Sequence, residues 1–215
     1  MKTYEKIETV YKRDIEGTKK LVEGAYRSEE LAYLKDNLWE WTEKIDGTNI
    51  RVHWDGHGVE FGGRTERANI PADLVNRLNT LFSGETNAQI FEQTFGERDV
   101  ILFGEGYGRK VQGVGSLYKP DGVDFILFDV LIQGANVSYY LPRAAVDGIA
   151  KAFGIQSVPV VLRGTIDNAI DFVRSKPMST IGTAPMEGVV GRPMTELKNA
   201  YGERLIVKVK VRDFC

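Results

Sequence analysis

Apolar and polar residues alternate in short stretches along this chain, with helical spacing confined to a few segments between them. Two-residue alternation predicts strands over 49–54, 59–64, 100–105, 124–132, 188–192 and 204–211, because successive side chains on a strand point to opposite faces. Asp55-Gly56 separates the first two, a step that favours a tight reversal and so an antiparallel hairpin. Leu21, Val22, Ala25, Leu31 and Leu34 recur at helical spacing and predict a helix across 18–34. A second helix starts near Pro71, whose ring suits a first helical turn, and carries Leu74, Val75, Leu78 and Leu81. Two more are expected over 142–153 and 165–174. No repeat, low-complexity tract or long linker divides the chain. The expectation is one α+β domain spanning residues 1–215, built on antiparallel β-sheets flanked by helices.

Composition narrows the class. A chain of 215 residues with 42% hydrophobic content can bury one substantial core. No apolar run approaches the length of a membrane span, and Met1-Lys2-Thr3-Tyr4-Glu5-Lys6 begins no signal peptide, so a cytoplasmic protein is expected. Cys215 is the only cysteine, which excludes an intrachain disulfide and a thiolate metal cluster and suits a reducing compartment. The net charge of −2 announces no nucleic-acid binder. From Arg192 onward, however, six basic residues face three acidic ones. Contact with nucleic acid would therefore be local, through a patch. A solvated surface would show the same asymmetry.

Several short segments could carry chemistry. Lys44 precedes the tight Asp46-Gly47 step and an alternating strand. A lysine held on such a strand-turn acts as a nucleophile only if desolvation or nearby cations lower its ordinary pKa of about 10.4. Alternation in Val207-Lys208-Val209-Lys210-Val211-Arg212 sends the three cations to one face and the valines to the other. That fits an ordinary surface strand, or two ammoniums aimed at a phosphate chain. Glu105 follows an apolar strand and is flanked by Gly104 and Gly106, which leaves it open to a ligand such as a ribose hydroxyl. Glu187 precedes another apolar strand, and its hard oxygens suit Mg²⁺ arriving with a nucleotide. Phe128 is either core or a flat surface for a nucleobase. Arg64, after Gly62-Gly63, would hold a phosphate, as would Arg109-Lys110.

Other chemistries are excluded. Gly104-Glu105-Gly106-Tyr107-Gly108 lacks the dinucleotide spacing, and no phosphate-loop motif or Gly-x-Ser-x-Gly elbow occurs. His53 and His57 flank a turn, and the chain holds no third histidine to complete a zinc site.

In their order, these segments resemble the covalent nucleotidyltransferase superfamily, and most closely the phage-type RNA ligases of the RNA ligase 2 family. Glu43-Lys44-Ile45-Asp46-Gly47-Thr48-Asn49 is similar to that family's nucleophile motif, Arg64-Thr65 to its second element and Phe103-Gly104-Glu105 to its third. Phe128-Asp129 is similar to the stacking strand, and Glu187-Gly188-Val189-Val190 and Lys208-Val209-Lys210 to the last two motifs. The resemblance implies an ATP-grasp-like nucleotidyltransferase domain without an appended OB domain, using ATP with Mg²⁺ or Mn²⁺. It implies that Lys44 takes AMP from ATP, passes it to an RNA 5′-phosphate, and a 3′-hydroxyl then displaces it. Glu105 would meet the ribose, Phe128 the adenine, Glu187 the metal, and Lys208 and Lys210 the phosphates. Arg64 would contact phosphate, Asp46 would order the Lys44 loop, and Asp129 would help position. RNA ends, nicked or single-stranded, are the implied partners, with no obligate protein partner or membrane. If the chain is phage-encoded, the compartment is the host cytoplasm. The sequence runs five residues past Lys210, so the further domain that many relatives use on nucleic acid is not expected in it. A DNA ligase, another nucleotidyltransferase (including one using GTP) and a non-catalytic nucleotide- or RNA-end-binding module remain the alternatives.

Overall fold

The computed structural model describes residues 1–214; Cys215, the sole cysteine, lies outside the described residues. In chain order the elements open with β1 (Glu8–Thr9), β2 (Tyr11–Arg13), β3 (Leu21–Tyr26), α1 (Glu29–Tyr33) and β4 (Trp39–Lys44). Next come β5 (Thr48–Trp54), β6 (Val59–Gly62), α2 (Ala72–Phe82), α3 (Glu85–Phe95), β7 (Asp99–Gly108), α4 (Gly115–Tyr118) and β8 (Val123–Gln133). The remainder is β9 (Tyr139–Tyr140), α5 (Arg143–Ala152), β10 (Gln156–Ser157), β11 (Val160–Gly164), α6 (Ile166–Arg174), β12 (Gly188–Pro193), β13 (Val207–Lys210) and α7 (Val211–Phe214). The chain forms two compact units. One holds Met1–Tyr4 and Asp46–Val158; the other holds Glu5–Ile45 and the residues from Pro159 on. Among the described residues no helix is long and apolar enough to cross a membrane.

The unit containing Asp46–Val158 is built on a sheet of order β10-β8-β7-β5-β6, with β9 also paired to β8. β5, β6, β7 and β8 pair antiparallel in sequence-local fashion, as their alternation predicts, and the Asp55-Gly56 reversal joins β5 to β6. Ile50, Val52, Trp54, Val100, Leu102, Phe125, Leu127, Val130 and Ile132 line one face of this sheet. Leu74, Leu78 and Phe82 of α2, Phe91 and Phe95 of α3, and Val146 and Ile149 of α5 cover them. Leu127 and Val130 are three residues apart yet share a cluster, because the ladder shifts register between Phe103 and Gly104. Phe103 pairs with Asp129 and Gly104 with Leu127, so Phe128 is the extra residue of a β-bulge. On the opposite face Ile101, Phe103 and Leu131 pack with Met1, Tyr4, Phe128 and Tyr140.

The other unit has a five-stranded sheet of order β1-β13-β12-β4-β11, with β2 and β3 forming a separate pair. β1 runs parallel to β13 and the remaining neighbours are antiparallel. Trp39 and Trp41 of β4 are fully buried and stacked with ring centroids 5.7 Å apart. Their indole nitrogens donate to Leu34 O at 3.0 Å and Gly164 O at 3.2 Å, satisfying the polar edge that burial of tryptophan requires. Ile166, Ala169, Ile170 and Val173 of α6 complete this core with Val189, Val207 and Val209. A capping box between Thr165 and Asn168 starts α6 where the sequence predicts it.

Three local expectations are corrected. The helix across 18–34 is only α1, begun by Ser28, while 21–26 is the strand β3. β-branched Val22 and Gly24 are poor helix formers, and pairing with β2 decides the segment. β6 stops at Gly62, leaving Arg64 exposed on the loop that follows. The last strand ends at Lys210, and the chain turns helical from Val211, so Arg212 does not extend the row of Lys208 and Lys210. α3 went unpredicted because its polar Glu-Thr-Asn-Ala-Gln start hides the apolar spacing of Phe91 and Phe95.

Candidate functional site

Lys44, Glu187, Lys208 and Lys210 lie in one unit, and Asp46, Arg64, Glu105 and Phe128 in the other. The first group is assembled by three adjacent strands. Lys44 is the last residue of β4, Gly188 the first of β12 and Lys210 the last of β13. Gly188 pairs with both lysines, so the three residues stand abreast and share a face. With no side chain at Gly188, nothing on that row separates the two amines. The carboxylate of the preceding residue, Glu187, accepts from Lys44 Nζ at Oε2 and from Lys210 Nζ at Oε1, each at 2.5 Å. Lys44 is 25% exposed at its side chain, Glu187 17% and Lys210 13%, so the cluster is mostly shielded but open to a ligand.

Charge within the cluster is unevenly placed. Burial pushes the Glu187 carboxyl up, but the Lys44 ammonium and the hydrogen bonds from Lys210 and Lys44 outweigh it and hold Glu187 below the ordinary range. Lys208 is the amine whose protonated form is disfavoured: burial lowers it first, and the charges of Lys210 and Lys44 add to the effect. The cations of β13 are therefore not the solvated face of an ordinary surface strand.

Folding is penalised by Lys208 as long as the amine is charged. The penalty is complete below its folded pKa and disappears as pH rises through the ordinary value of 10.5. Lys208→Met is accordingly expected to stabilise the protein near pH 7 and to remove the rise in stability toward pH 10.5. Urea unfolding at the two pH values measures this. A variant less stable than wild type at pH 7 would contradict it.

The second group lies on β5, β7 and β8 and the loops beside them. Asp46 N donates to Tyr118 Oη at 3.3 Å, and Gln112 Nε2 donates to Gly47 O at 3.2 Å. Two residues of the stretch after β7 thus hold the turn that follows Lys44 in sequence. A Cβ at Gly47 would run into the Gly106 carbonyl and stand 2.9 Å from Glu105 Cγ, so only glycine lets this turn lie against β7. Glu105 is not at a strand end, as its sequence suggests, but in mid-β7, half-buried and paired across the ladder with Asn49. Phe128 sits at the bulge, half-buried, with the Tyr4 ring edge-on at 5.0 Å. Asp129 is fully buried, and its Oδ2 accepts from Tyr4 Oη at 2.8 Å.

The structure adds residues that the sequence did not single out. Asn49 Oδ1 is buried without a hydrogen-bond partner, a cost that a polar ligand beside Glu105 would relieve. Arg51 is fully buried and donates from Nε to Gly63 O at 2.7 Å and from Nη1 to Met1 O at 2.7 Å and Glu66 Oε1 at 2.9 Å. It anchors the residue just before Arg64. Alternation places Arg51 opposite Ile50 and Val52 but cannot say what covers it. His53 is paired with Asp99 at 2.8 Å, and among the described residues no group of three or more His, Cys, Asp or Glu could hold a metal. Any cation would rest on a carboxylate such as Glu187 together with its ligand's own oxygens, which suits a largely hydrated Mg²⁺ or Mn²⁺.

A family model described as RNA ligase matches residues 37–210. No curated protein matches the chain. Among solved structures, a lysine-to-alanine variant of Naegleria gruberi RNA ligase with ATP and Mn has a TM-score of 0.63 at 18% identity, covering 84% of this chain and 51% of that one. A lysine-to-methionine variant of that protein with AMP and Mn also gives 0.63 at 18% identity, covering 95% and 60%. The same protein with PPi gives 0.60 at 21% identity, covering 83% and 50%. This chain spans about half the length of the solved structures it matches. At these identities the likeness establishes the fold alone, a mixed α+β architecture of antiparallel sheets and helices.

Proposed function

Since the chain belongs to the RNA ligase family, we propose that it joins RNA ends with ATP through a covalent lysyl-AMP. The observation that carries this reading is the shielded row of Lys44, Glu187 and Lys210, with Lys208 beside it. Phosphoryl transfer needs placement and positive charge more than acid–base machinery, and this row offers an amine nucleophile among cations. The structures that resemble this chain hold ATP, AMP and Mn, which supports a nucleotide with a divalent metal here.

In the proposed sequence, Lys44 Nζ attacks the α-phosphorus of ATP. A P–N bond forms, the α–β phosphoanhydride breaks and pyrophosphate leaves. A 5′-phosphate oxygen then takes AMP from Lys44, restoring the amine. A 3′-hydroxyl next attacks the activated 5′-phosphorus and AMP departs as the phosphodiester forms. Lys208 and Lys210 hold the phosphates and neutralise charge as it grows. Glu187 would hold the divalent cation, which supplies further charge neutralisation on the phosphates. Glu105 is assigned to the ribose, with Asn49 as a further polar contact, and Phe128 to the adenine face. Arg64 is assigned to a phosphate, and Asp46 orders the turn after Lys44. On this reading residues 1–215 act as one adenylation domain, and the family match running through both units supports it.

Incubation of the protein with α-labelled ATP and Mg²⁺ should give a covalently labelled chain, with the pattern of a phosphoramidate: lost in acid and on hydroxylamine treatment but kept in alkali. Nicked RNA, nicked DNA, hybrids and single strands presented in parallel should show joining of RNA. Protein free of bound AMP that takes up no label would end the ligase reading.

A further inference from the structure

We infer that Glu43 is a positioning residue for the Lys44–Glu187–Lys210 cluster, acting through the segment that delivers Glu187. This rests on the reading of Lys44 as nucleophile and Glu187 as cation ligand. Glu43 precedes Lys44 on β4, and alternation turns it to the opposite face, where it is only 1% exposed. Three donors converge on its carboxylate. Ser179 Oγ donates to Oε1 at 2.5 Å, while Thr180 N and Thr180 Oγ1 donate to Oε2 at 2.9 and 2.6 Å. Burying a carboxylate is costly even when it is hydrogen-bonded, and an apolar side chain would fill the place with less penalty. Packing alone therefore does not account for it.

What the three donors achieve is registration. Ser179 and Thr180 lie at the start of a closed loop, secured by Ser179 N to Ala184 O at 2.8 Å, Met186 N to Pro177 O at 2.9 Å, and a Met178–Pro185 bridge. Ser179 Oγ also accepts from Ile181 N at 3.1 Å. The residue that follows this loop is Glu187. One side chain thus ties the strand carrying Lys44 to the loop carrying its carboxylate partner, across 136 positions of sequence. If that tie is lost, Glu187 keeps its chemistry and loses its place.

Glu43→Gln keeps the shape but turns an amide donor toward donors, and Thr180→Val removes one hydroxyl while keeping the backbone donor. In the full chain with AMP present, Mn²⁺ affinity is read from the EPR signal of the free ion; label transfer from α-labelled ATP is followed against Mn²⁺ concentration, and folding by thermal melting. Glu43→Gln is expected to bind Mn²⁺ about tenfold more weakly and to need correspondingly more for half-maximal labelling, with Thr180→Val shifted the same way by less. A folded Glu43→Gln with wild-type Mn²⁺ affinity and labelling overturns the inference. If Glu43→Gln does not fold, Thr180→Val decides by the same measure: a shift supports it and a wild-type response overturns it. Wild-type protein that binds Mn²⁺ but takes no label removes the ligase reading, and the role of Glu43 is then judged on binding alone. Wild-type protein that binds no Mn²⁺ overturns the inference.

Discussion

Lys44→Ala is expected to abolish label transfer from α-labelled ATP, by more than about 10³-fold, because no other group supplies the bond-forming nitrogen at that place. Lys44→Arg should be equally inactive: it keeps a cation for Glu187, but guanidinium does not lose its proton at neutral pH. The two variants separate nucleophile from counter-charge. Alanine also leaves Glu187 hydrogen-bonded to Lys210 without the Lys44 ammonium, at a cost of roughly 1–2 kcal/mol in unfolding free energy, whereas arginine should recover part of that. Label surviving in Lys44→Ala and lost on replacing Lys208, the amine with depressed pKa, would move the nucleophile to Lys208. Label surviving both changes would remove the site.

Arg51→Met should cause a marked loss of stability at a position outside the lysine cluster. The guanidinium is wholly buried and supplies donors to the carbonyls of Gly63, Met1 and Lys2. Methionine fills similar volume with no donor, so the buried Gly63 carbonyl and the part-buried Met1 carbonyl lose their partner, at about 1–3 kcal/mol in total. Glu66 is mostly exposed and returns to water at little cost. Urea unfolding at pH 7 measures the effect, and a loss under about 0.5 kcal/mol would show the network to be inconsequential. Because Gly63 precedes Arg64, the same variant should raise the ATP concentration needed for half-maximal labelling.

Much of this was legible in the chain. Alternation located β5, β7, β8 and β12, while the strand expected from 204 begins only at Val207; Pro71, Pro142 and Thr165 marked where α2, α5 and α6 begin. These signals are local: a period of two or 3.6, a ring that fixes one dihedral, a hydroxyl that caps. The short segments around Lys44, Glu105, Phe128, Glu187 and Lys208 stand out by their resemblance to a family's motifs; read singly, each also fits a turn, a surface strand or core. Where local signals conflicted, reading failed. Spacing alone made 18–34 a helix, and pairing with β2 made its first part a strand.

What the chain determines unaided is which residues can alternate, cap or turn, and which side chains carry nucleophile, carboxylate or cation. Packing decided who meets whom. Lys44 and Glu187 are 143 positions apart and meet because β12 lies between β4 and β13. Arg51 is buried because Met1–Tyr4 folds over its face of the sheet, and Glu43 is satisfied because a loop near position 180 closes on it. Periodicity encodes a side chain's direction within its own strand. Strand order and the covering of a face depend on burial summed over the whole unit, which no local window contains.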